Sequence, residues 1–290
     1  MAGRLAGGLI PAVPAPFRGT TLVADALRGY CRWMARQDVA GVAVWAHTGR
    51  GVHLSGDQRR LVLESWRQAL PERVLVAGAG SLDMARAARD GGADAILAFP
   101  RVADPVAWHR ELSGMLPVIA FHLYEAAGGV PYDDTTLHAI LRLPGVVGIK
   151  VATLDSVMTF QRIATLMHAH PEKLLITGED RFLGYSLMMG ARCALVGMGA
   201  ALCDVQADLL RAHAAGDLAR FVRLSGLVDR FAQATFVPPM EGYVRRLLWA
   251  AAAEGAIPKD ACDDPWGPPL AATERETVIR AVHDARAAGR

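Results

Sequence analysis

Eight short apolar runs recur along this 290-residue chain, and the segments between them carry apolar residues at helical spacing. We predict strands at 8–13, 41–45, 74–77, 95–99, 118–123, 146–152, 174–177 and 193–197. We predict helices between them at 24–37, 55–70, 83–91, 105–115, 133–143, 156–168 and 181–189. Strands that are apolar on both faces and alternate with helices indicate a parallel sheet covered by helices. Eight such units favour an α/β fold of the (β/α)8 TIM barrel type over an open doubly wound sheet.

The strand pattern stops after Gly199, and only helices are predicted beyond it. They cover 204–215, 217–234, 240–254 and 273–288. The first of these helices is needed to complete the eighth βα unit. We therefore predict a barrel over 1–215 and a C-terminal helical extension over 216–290 that packs on it, with an independent C-terminal domain as the alternative.

Composition and charge exclude several classes of function. The chain is 52% hydrophobic with a formal net charge of +2, and its charges are spread along the whole length. Because no basic block is present, neither nucleic acid nor a membrane surface is an expected partner. No apolar stretch has bilayer length, and the N-terminus lacks a long apolar region, so we expect a cytoplasmic protein.

No cofactor or metal is expected. The four cysteines, like the histidines and carboxylates, lack metal-ligand spacing, and they predict no disulfide framework. The glycines at 78 and 80 lack the third glycine of a dinucleotide-binding fingerprint.

Lys150 is the residue that most directly suggests chemistry. It lies inside the apolar run 145–152, and a lysine is rarely buried without a partner or a task. The chain has only two other lysines, Lys173 and Lys259, and uses arginine for the rest of its positive side chains. A desolvated amine loses its proton more readily than a guanidinium and can condense with a ketone as a Schiff base.

Active sites of parallel barrels lie at the carboxyl ends of the strands, so the residues that close each apolar run form the predicted mouth. Lys150 belongs to the sixth strand. The other polar segments at the mouth are 47–50 (HTGR), 78–81 (GAGS), 100–101 (PR), 122–125 (HLYE) and 178–180 (GED).

These segments resemble, in order and spacing, those of the dihydrodipicolinate synthase and N-acetylneuraminate lyase family of class I aldolases. The matching segments are PAPF at 14–17, HTGR at 47–50, AGAGS at 77–81, GGADA at 91–95, VGIKVAT at 147–153 and TGED at 177–180. The resemblance runs along the whole chain. It implies a Schiff base between Lys150 and pyruvate or another 2-oxo acid, with Thr48 and Gly49 at the substrate carboxylate and a backbone contact at Leu195. It also implies a homo-oligomer, a tetramer or a dimer.

The sequence departs from the family pattern at several positions. Where the family has a proton-relaying tyrosine on strand five, ungapped alignment places Phe121, and His122 follows it. The first of two family threonines is His47. An aromatic pair after strand four is replaced by Arg101 and Val102, and Ala126 stands where the synthase has a carboxylate-binding arginine.

The chemistry follows as a hypothesis. Lys150 attacks a 2-oxo acid of the pyruvate or 2-keto-3-deoxy sugar acid type, and the iminium serves as electron sink for carbon–carbon or carbon–oxygen lyase chemistry. An acid or base must move protons, and the candidates are Tyr124, His47 and His122. Arg50 and Arg101 would add positive charge that suits an acidic substrate.

Two other interpretations stay open. Lys150 could be a structural lysine that is ion-paired with Glu179 or Asp180. The chain could also be a lapsed paralogue that binds a small oxo acid without turnover, an alternative that Phe121 favours. Metal-dependent aldolase chemistry is a third and weaker choice, because no ligand cluster has the required spacing.

Overall fold

The computed structural model, which describes residues 1–154 and 156–288, contains eight parallel strands in one sheet. The strands are β1 Leu9–Pro11, β2 Gly41–Val44, β3 Val74–Ala79, β4 Ala95–Ala98, β5 Val118–Leu123, β6 Val146–Ala152, β7 Leu174–Thr177 and β8 Cys193–Val196. Their order is β1-β8-β7-β6-β5-β4-β3-β2. Ala12 pairs with Ala43, which joins the end of β1 to β2 and closes the circle. The predicted (β/α)8 TIM barrel is therefore confirmed.

A helix follows each strand and covers the outside of the barrel. These helices are α1 Ala24–Ala35, α2 Gly56–Ala69, α3 Leu82–Asp90, α4 Pro105–Ser113, α5 Asp134–Leu141, α6 Val157–Met167, α7 Leu183–Met188 and α8 Cys203–Ala214. Ser55, Ser81 and Asp133 each accept a backbone N–H of the first turn of the helix that follows, which fixes where that helix begins. The predicted strands and helices are present, with ends that coincide or differ by at most three residues.

The barrel interior is filled by alternate residues of the strands, among them Ile10, Val76, Leu97, Ile119 and Ile176. The short helix Ala2–Leu5, which the sequence did not predict, places fully buried Leu5 in this same cluster. The residues between them on each strand face the helices instead. Strand parity thus decides which side chains can reach a site inside the barrel.

Three helices follow the eighth unit: α9 Leu218–Thr235, α10 Tyr243–Ala253 and α11 Ala272–Ala288. The 3₁₀ turn Met240–Gly242 precedes α10 and brings the start of that helix to the mouth of the barrel. Val244, Leu247 and Leu248 of α10 are almost fully buried, each contributing roughly 1.5–3 kcal/mol of apolar burial.

Near the mouth, Phe17 pairs with Asp263 of the segment between α10 and α11. The division into a barrel over 1–215 and an extension over 216–290 stays a prediction, and residues 289 and 290 lie outside the described residues. Among the described helices, none is both long and apolar enough to cross a bilayer.

Candidate active site

Lys150 points into the barrel from β6. Its direct neighbour across the sheet is Phe121 of β5, and the amine Nζ lies 4.4 Å from the centre of the phenyl ring. The lysine is only 5% exposed. Gly178 after β7 leaves room for it, since a Cβ at that position would lie 2.5 Å from Lys150 Cε. The predicted interior placement of Lys150 is therefore a consequence of strand parity and of the glycine that follows the adjacent strand.

The surroundings of Lys150 favour the neutral amine. Burial lowers its pKa from 10.5 to about 8, although the charges of Asp180 and Glu179 oppose this shift. The ion pairs formed among the described residues do not include Lys150. Near pH 8 a substantial fraction of this amine is thus unprotonated, as a nucleophile requires.

The two carboxyl groups after β7 are held by other partners. Glu179 is fully buried and accepts bonds from the Thr153 amide at 2.7 Å, the Thr153 hydroxyl at 2.9 Å and the Leu154 amide at 3.0 Å. Burial nevertheless raises the pKa of Glu179 to about 8. Asp180 accepts the Met198 amide at 2.6 Å, and burial raises its pKa as well. These carboxyls hold the strand-end loops together and act on Lys150 only over a longer distance.

The Lys150 side chain lines a cavity of about 20 Å³, which has room for about one water. The lining residues are His47, Thr48, Phe121, Leu123, Tyr124, Lys150, Ala152, Leu154, Gly178, Asp180, Gly197, Phe236 and Tyr243. Phe236 and Tyr243 come from the C-terminal helical region, which therefore contributes to the wall of this cavity. A 2-oxo acid needs more space than this arrangement leaves.

Tyr243, the first residue of α10, is a site residue that the sequence analysis missed. Its hydroxyl lies 2.9 Å from His47 Nδ1 and 3.1 Å from Thr48 Oγ1. Its ring stacks on His47 and on Phe236, with centroid distances of 5.9 and 4.8 Å. Burial raises the pKa of this phenol above its ordinary value. No local signal marks Tyr243, because its neighbours in the site come from distant strands.

Glu241, also missed, connects several groups of the mouth. Its Oε1 accepts the Tyr124 hydroxyl at 2.6 Å, and its Oε2 accepts Arg50 Nη1 at 2.7 Å. The same Oε2 lies 3.3 Å from His47 Nε2. Burial opposes ionisation of Glu241, but contacts with His47, Tyr124 and Arg50 outweigh it and hold its pKa at about 2. Glu241 is therefore a carboxylate at neutral pH.

Arg50 is buried and contacts carboxylates rather than the cavity. Its Nη2 donates to Asp264 at 2.7 Å, its Nε donates to the same carboxylate at 3.2 Å, and its Nη2 also donates to the Glu241 carbonyl at 3.0 Å. Burial opposes the charged form, but these carboxylates raise its pKa overall. Because Arg50 binds both Glu241 and Asp264, it fixes the segments around these two residues to the turn after β2.

The other predicted site residues fall into two groups. Thr48, His47 and Tyr124 surround the same cavity as Lys150, and Gly49 lies in the adjoining turn, where its amide donates to Ala46. His122, Arg101 and Leu195 lie elsewhere, and their roles stay predictions.

Strand parity explains the place of His122. It pairs with Val151 on the face opposite to Lys150 and lines a separate pocket of about 330 Å³, together with Tyr124 and Arg162. Burial and the charge of Arg162 lower the pKa of His122 to about 4.

Arg101 and Leu195 do not line the cavity beside Lys150. The guanidinium of exposed Arg101 stacks over Trp108 at 4.2 Å. Leu195 of β8 is fully buried in the barrel interior.

Comparisons with known proteins agree with this architecture. A sequence model of the dihydrodipicolinate synthetase family matches residues 5–285. The 4-hydroxy-tetrahydrodipicolinate synthase of Phenylobacterium zucineum is 29% identical over 246 residues, which cover 79% of this chain and 82% of that protein.

Two solved structures show the same fold at low sequence identity. A catalytic lysine mutant of Ruminococcus gnavus sialic acid aldolase has a TM-score of 0.86 at 18% identity, covering 99% of this chain and 97% of that one. The prophage protein YagE of E. coli K12, in complex with pyruvate, has a TM-score of 0.85 at 19% identity, covering 96% and 98%.

Proposed function

This chain belongs to the dihydrodipicolinate synthetase family, and from that membership we propose that it is a class I aldolase or lyase that acts on a 2-oxo acid through a Schiff base on Lys150. The substrate class is pyruvate or a 2-keto-3-deoxy sugar acid. The observation that carries the proposal is the Lys150 amine, which is buried, has a lowered pKa and faces a cavity at the carboxyl ends of the strands. This is the position at which barrel enzymes carry out their chemistry.

The reaction begins with the neutral amine. Lys150 Nζ attacks the ketone carbon, the carbonyl oxygen takes up a proton, and the resulting carbinolamine loses water to give an iminium. As the carbon–carbon bond breaks, the iminium accepts its electron pair and becomes an enamine, while the substrate hydroxyl on the departing carbon loses its proton and becomes the carbonyl of the aldehyde product. The enamine carbon then takes up a proton, and water hydrolyses the regenerated iminium and releases the 2-oxo acid from Lys150. Thr48 and the amides of its turn would hold the substrate carboxylate, and Gly49 keeps that turn tight.

Two structural relatives support this chemistry. One relative was solved with pyruvate, and another is a sialic acid aldolase altered at a catalytic lysine. Lys150 is the one lysine of the VGIKVAT segment at 147–153.

The proposal requires the cavity to enlarge. About one water fits beside Lys150. Tyr243 and Phe236 line this space from the C-terminal region, so we expect side chains of this wall to move when a substrate binds. Closure over a bound substrate would then exclude water from the imine.

Borohydride trapping tests the proposal. The protein is mixed with pyruvate and then with sodium borohydride, and an irreversible adduct of pyruvate mass on Lys150 is expected. Lys173 and Lys259 are internal controls, because digestion separates the three lysines into different peptides. The Lys150→Arg variant should give no adduct, since a guanidinium stays protonated.

A panel of 2-oxo acids completes the test. If neither pyruvate nor any 2-keto-3-deoxy acid in the panel modifies Lys150, the Schiff-base proposal is wrong. Labelling of Lys173 or Lys259 to the same extent as Lys150 would also contradict it.

A lapsed paralogue is the second candidate, and two observations favour it: the phenyl ring of Phe121 beside the amine, and the small cavity. Such a protein would trap pyruvate on Lys150 but release no product from any 2-keto-3-deoxy acid. Product formation measured alongside the trapping distinguishes the two candidates.

Assembly and location are also part of the proposal. We propose a homotetramer or homodimer, which light scattering on the purified protein tests directly. We also propose a cytoplasmic location, which is supported by four buried cysteines that form no disulfide among the described residues.

A further inference from the structure

The β5 residue beside the amine cannot carry a proton. Phe121 has no exchangeable proton, yet its ring lies 4.4 Å from Lys150 Nζ, where the imine would form. Forming and breaking the imine both require proton transfer to or from the substrate. A group from another element must therefore supply the proton.

Among the described residues on the cavity wall, Tyr243 has the most suitable position. Its hydroxyl contacts Thr48 and His47, both of which line the same cavity as Lys150. Tyr124 also lines the cavity, but its hydroxyl donates to Glu241 at 2.6 Å.

A connected path leads from the Tyr243 hydroxyl away from the cavity. His47 Nδ1 lies 2.9 Å from that hydroxyl, and His47 Nε2 lies 3.3 Å from the Glu241 carboxylate. An ionised carboxylate beside Nε2 stabilises a proton on that nitrogen. In the neutral imidazole, Nδ1 is then the acceptor and faces the phenol.

We propose, as an extension of the Schiff-base function above, that Tyr243 is the catalytic residue that carries protons between the substrate and His47, with Glu241 as a positioning residue. The C-terminal helix α10 thereby supplies the phenol that β5 lacks at Phe121. In this arrangement the Thr48 hydroxyl donates to the Tyr243 oxygen, and Thr48 contacts the substrate carboxylate through its backbone amide.

The steps balance without an added reactant. During imine formation, the phenol proton passes to the carbinolamine oxygen, which leaves as water, while protonated His47 returns a proton to the phenol oxygen. When the substrate instead loses a proton, from a hydroxyl or from the carbon next to the imine, that proton passes to the Tyr243 oxygen. The phenol proton passes at the same time to His47 Nδ1. The phenol never persists as a free anion, which suits its burial.

Hydrogen exchange of pyruvate in D₂O tests this relay without knowledge of the aldehyde product. A Schiff base of pyruvate that forms an enamine loses a methyl proton and regains deuterium, which NMR detects. In Tyr243→Phe, borohydride trapping on Lys150 should persist at equilibrium, while the exchange rate falls by about 10²–10⁴-fold. Tyr185→Phe on α7 removes a phenol that bonds to Gln161 and should leave both readouts unchanged.

The outcomes separate the relay from the Schiff base. No trapping in the wild type means that the proposed function fails first. Trapping by Tyr243→Phe with exchange as fast as in the wild type overturns the relay alone. Loss of exchange in Tyr124→Phe but not in Tyr243→Phe would instead assign the proton carrier to Tyr124.

A double-mutant cycle tests the role of Glu241. If Glu241 acts through His47 and Tyr243, Glu241→Gln should slow exchange in the wild-type background but cause no further slowing in Tyr243→Phe, while trapping on Lys150 persists. Equal slowing in both backgrounds would contradict the positioning role.

Discussion

Phe121 and Lys150 are direct neighbours on β5 and β6, and the lysine amine lies 4.4 Å from the centre of the phenyl ring. The ring contributes to the apolar wall that lowers the pKa of the amine, and its negative face stabilises a cation by roughly 0.5–2 kcal/mol. The ring therefore acts on the charge of the amine in two opposite ways: it excludes water, which favours the neutral amine, and its face attracts the ammonium. This balance keeps Lys150 reactive without a carboxylate in contact.

Phe121→Tyr should restore proton transfer where Tyr243 has been removed. The added oxygen fits a cavity that holds about one water, and it would lie beside the amine. In a Tyr243→Phe background we expect pyruvate exchange in D₂O to rise by about tenfold or more. Phe99→Tyr is the matched control, because Phe99 packs on Phe121 with a centroid distance of 5.8 Å but does not line this cavity. An equal gain from both variants would contradict the prediction.

Lys150→Met should stabilise the protein at neutral pH. The folded protein holds this lysine at a pKa of about 8 instead of 10.5, so below pH 8 folding carries the cost of burying an ammonium. We expect the free energy of unfolding at pH 7 to rise by about 1–3 kcal/mol.

The pH dependence checks the cause of that gain. As pH rises from about 8 towards 10.5, the unfolded wild type binds more protons than the folded one, so its stability increases and the advantage of Lys150→Met shrinks. Urea denaturation at pH 7, 9 and 10 measures this trend. A gain that does not vary with pH would point to packing instead of charge.

Asp264→Ala should lower the free energy of unfolding of the protein. It would remove the bidentate partner of buried Arg50 and leave Glu241 as its remaining carboxylate. Because that ion pair persists, we expect a loss smaller than the cost of about 3–5 kcal/mol for an unpaired buried charge, and denaturant unfolding can measure it. Arg86→Ala, which breaks the exposed pair with Asp83, should change stability by at most about 0.5 kcal/mol. Similar losses in the two variants would contradict the structural role of Arg50.

Gly178→Ala should displace the Lys150 side chain. The new Cβ would lie 2.5 Å from Lys150 Cε and 3.0 Å from the Val151 carbonyl oxygen, so the lysine must move. We expect slower borohydride trapping and a loss of about 1–3 kcal/mol in stability. Gly56→Ala at the start of α2 meets no atom within 4 Å and should leave trapping unchanged. Trapping by Gly178→Ala at the wild-type rate would show that the contact does not constrain the amine.

The sequence determined the barrel, the bounds of its strands to within two residues, and the place of Lys150 on the sixth strand. These features follow from local periodicity, because a parallel strand covered by helices must be apolar and its carboxyl end must lie at the mouth. Strand parity would also have separated Phe121, which lies inside beside Lys150, from His122, which lies outside.

Only the tertiary structure decided what surrounds the amine. Tyr243 and Glu241 reach the mouth because α10 packs over the barrel, and Arg50 is neutralised by Asp264 from a later segment. Hydrogen bonds between such distant residues depend on how helices are oriented in space, and no periodicity in the chain encodes that orientation. The size of the cavity has the same origin, since it is the space that remains after side chains from several elements have packed.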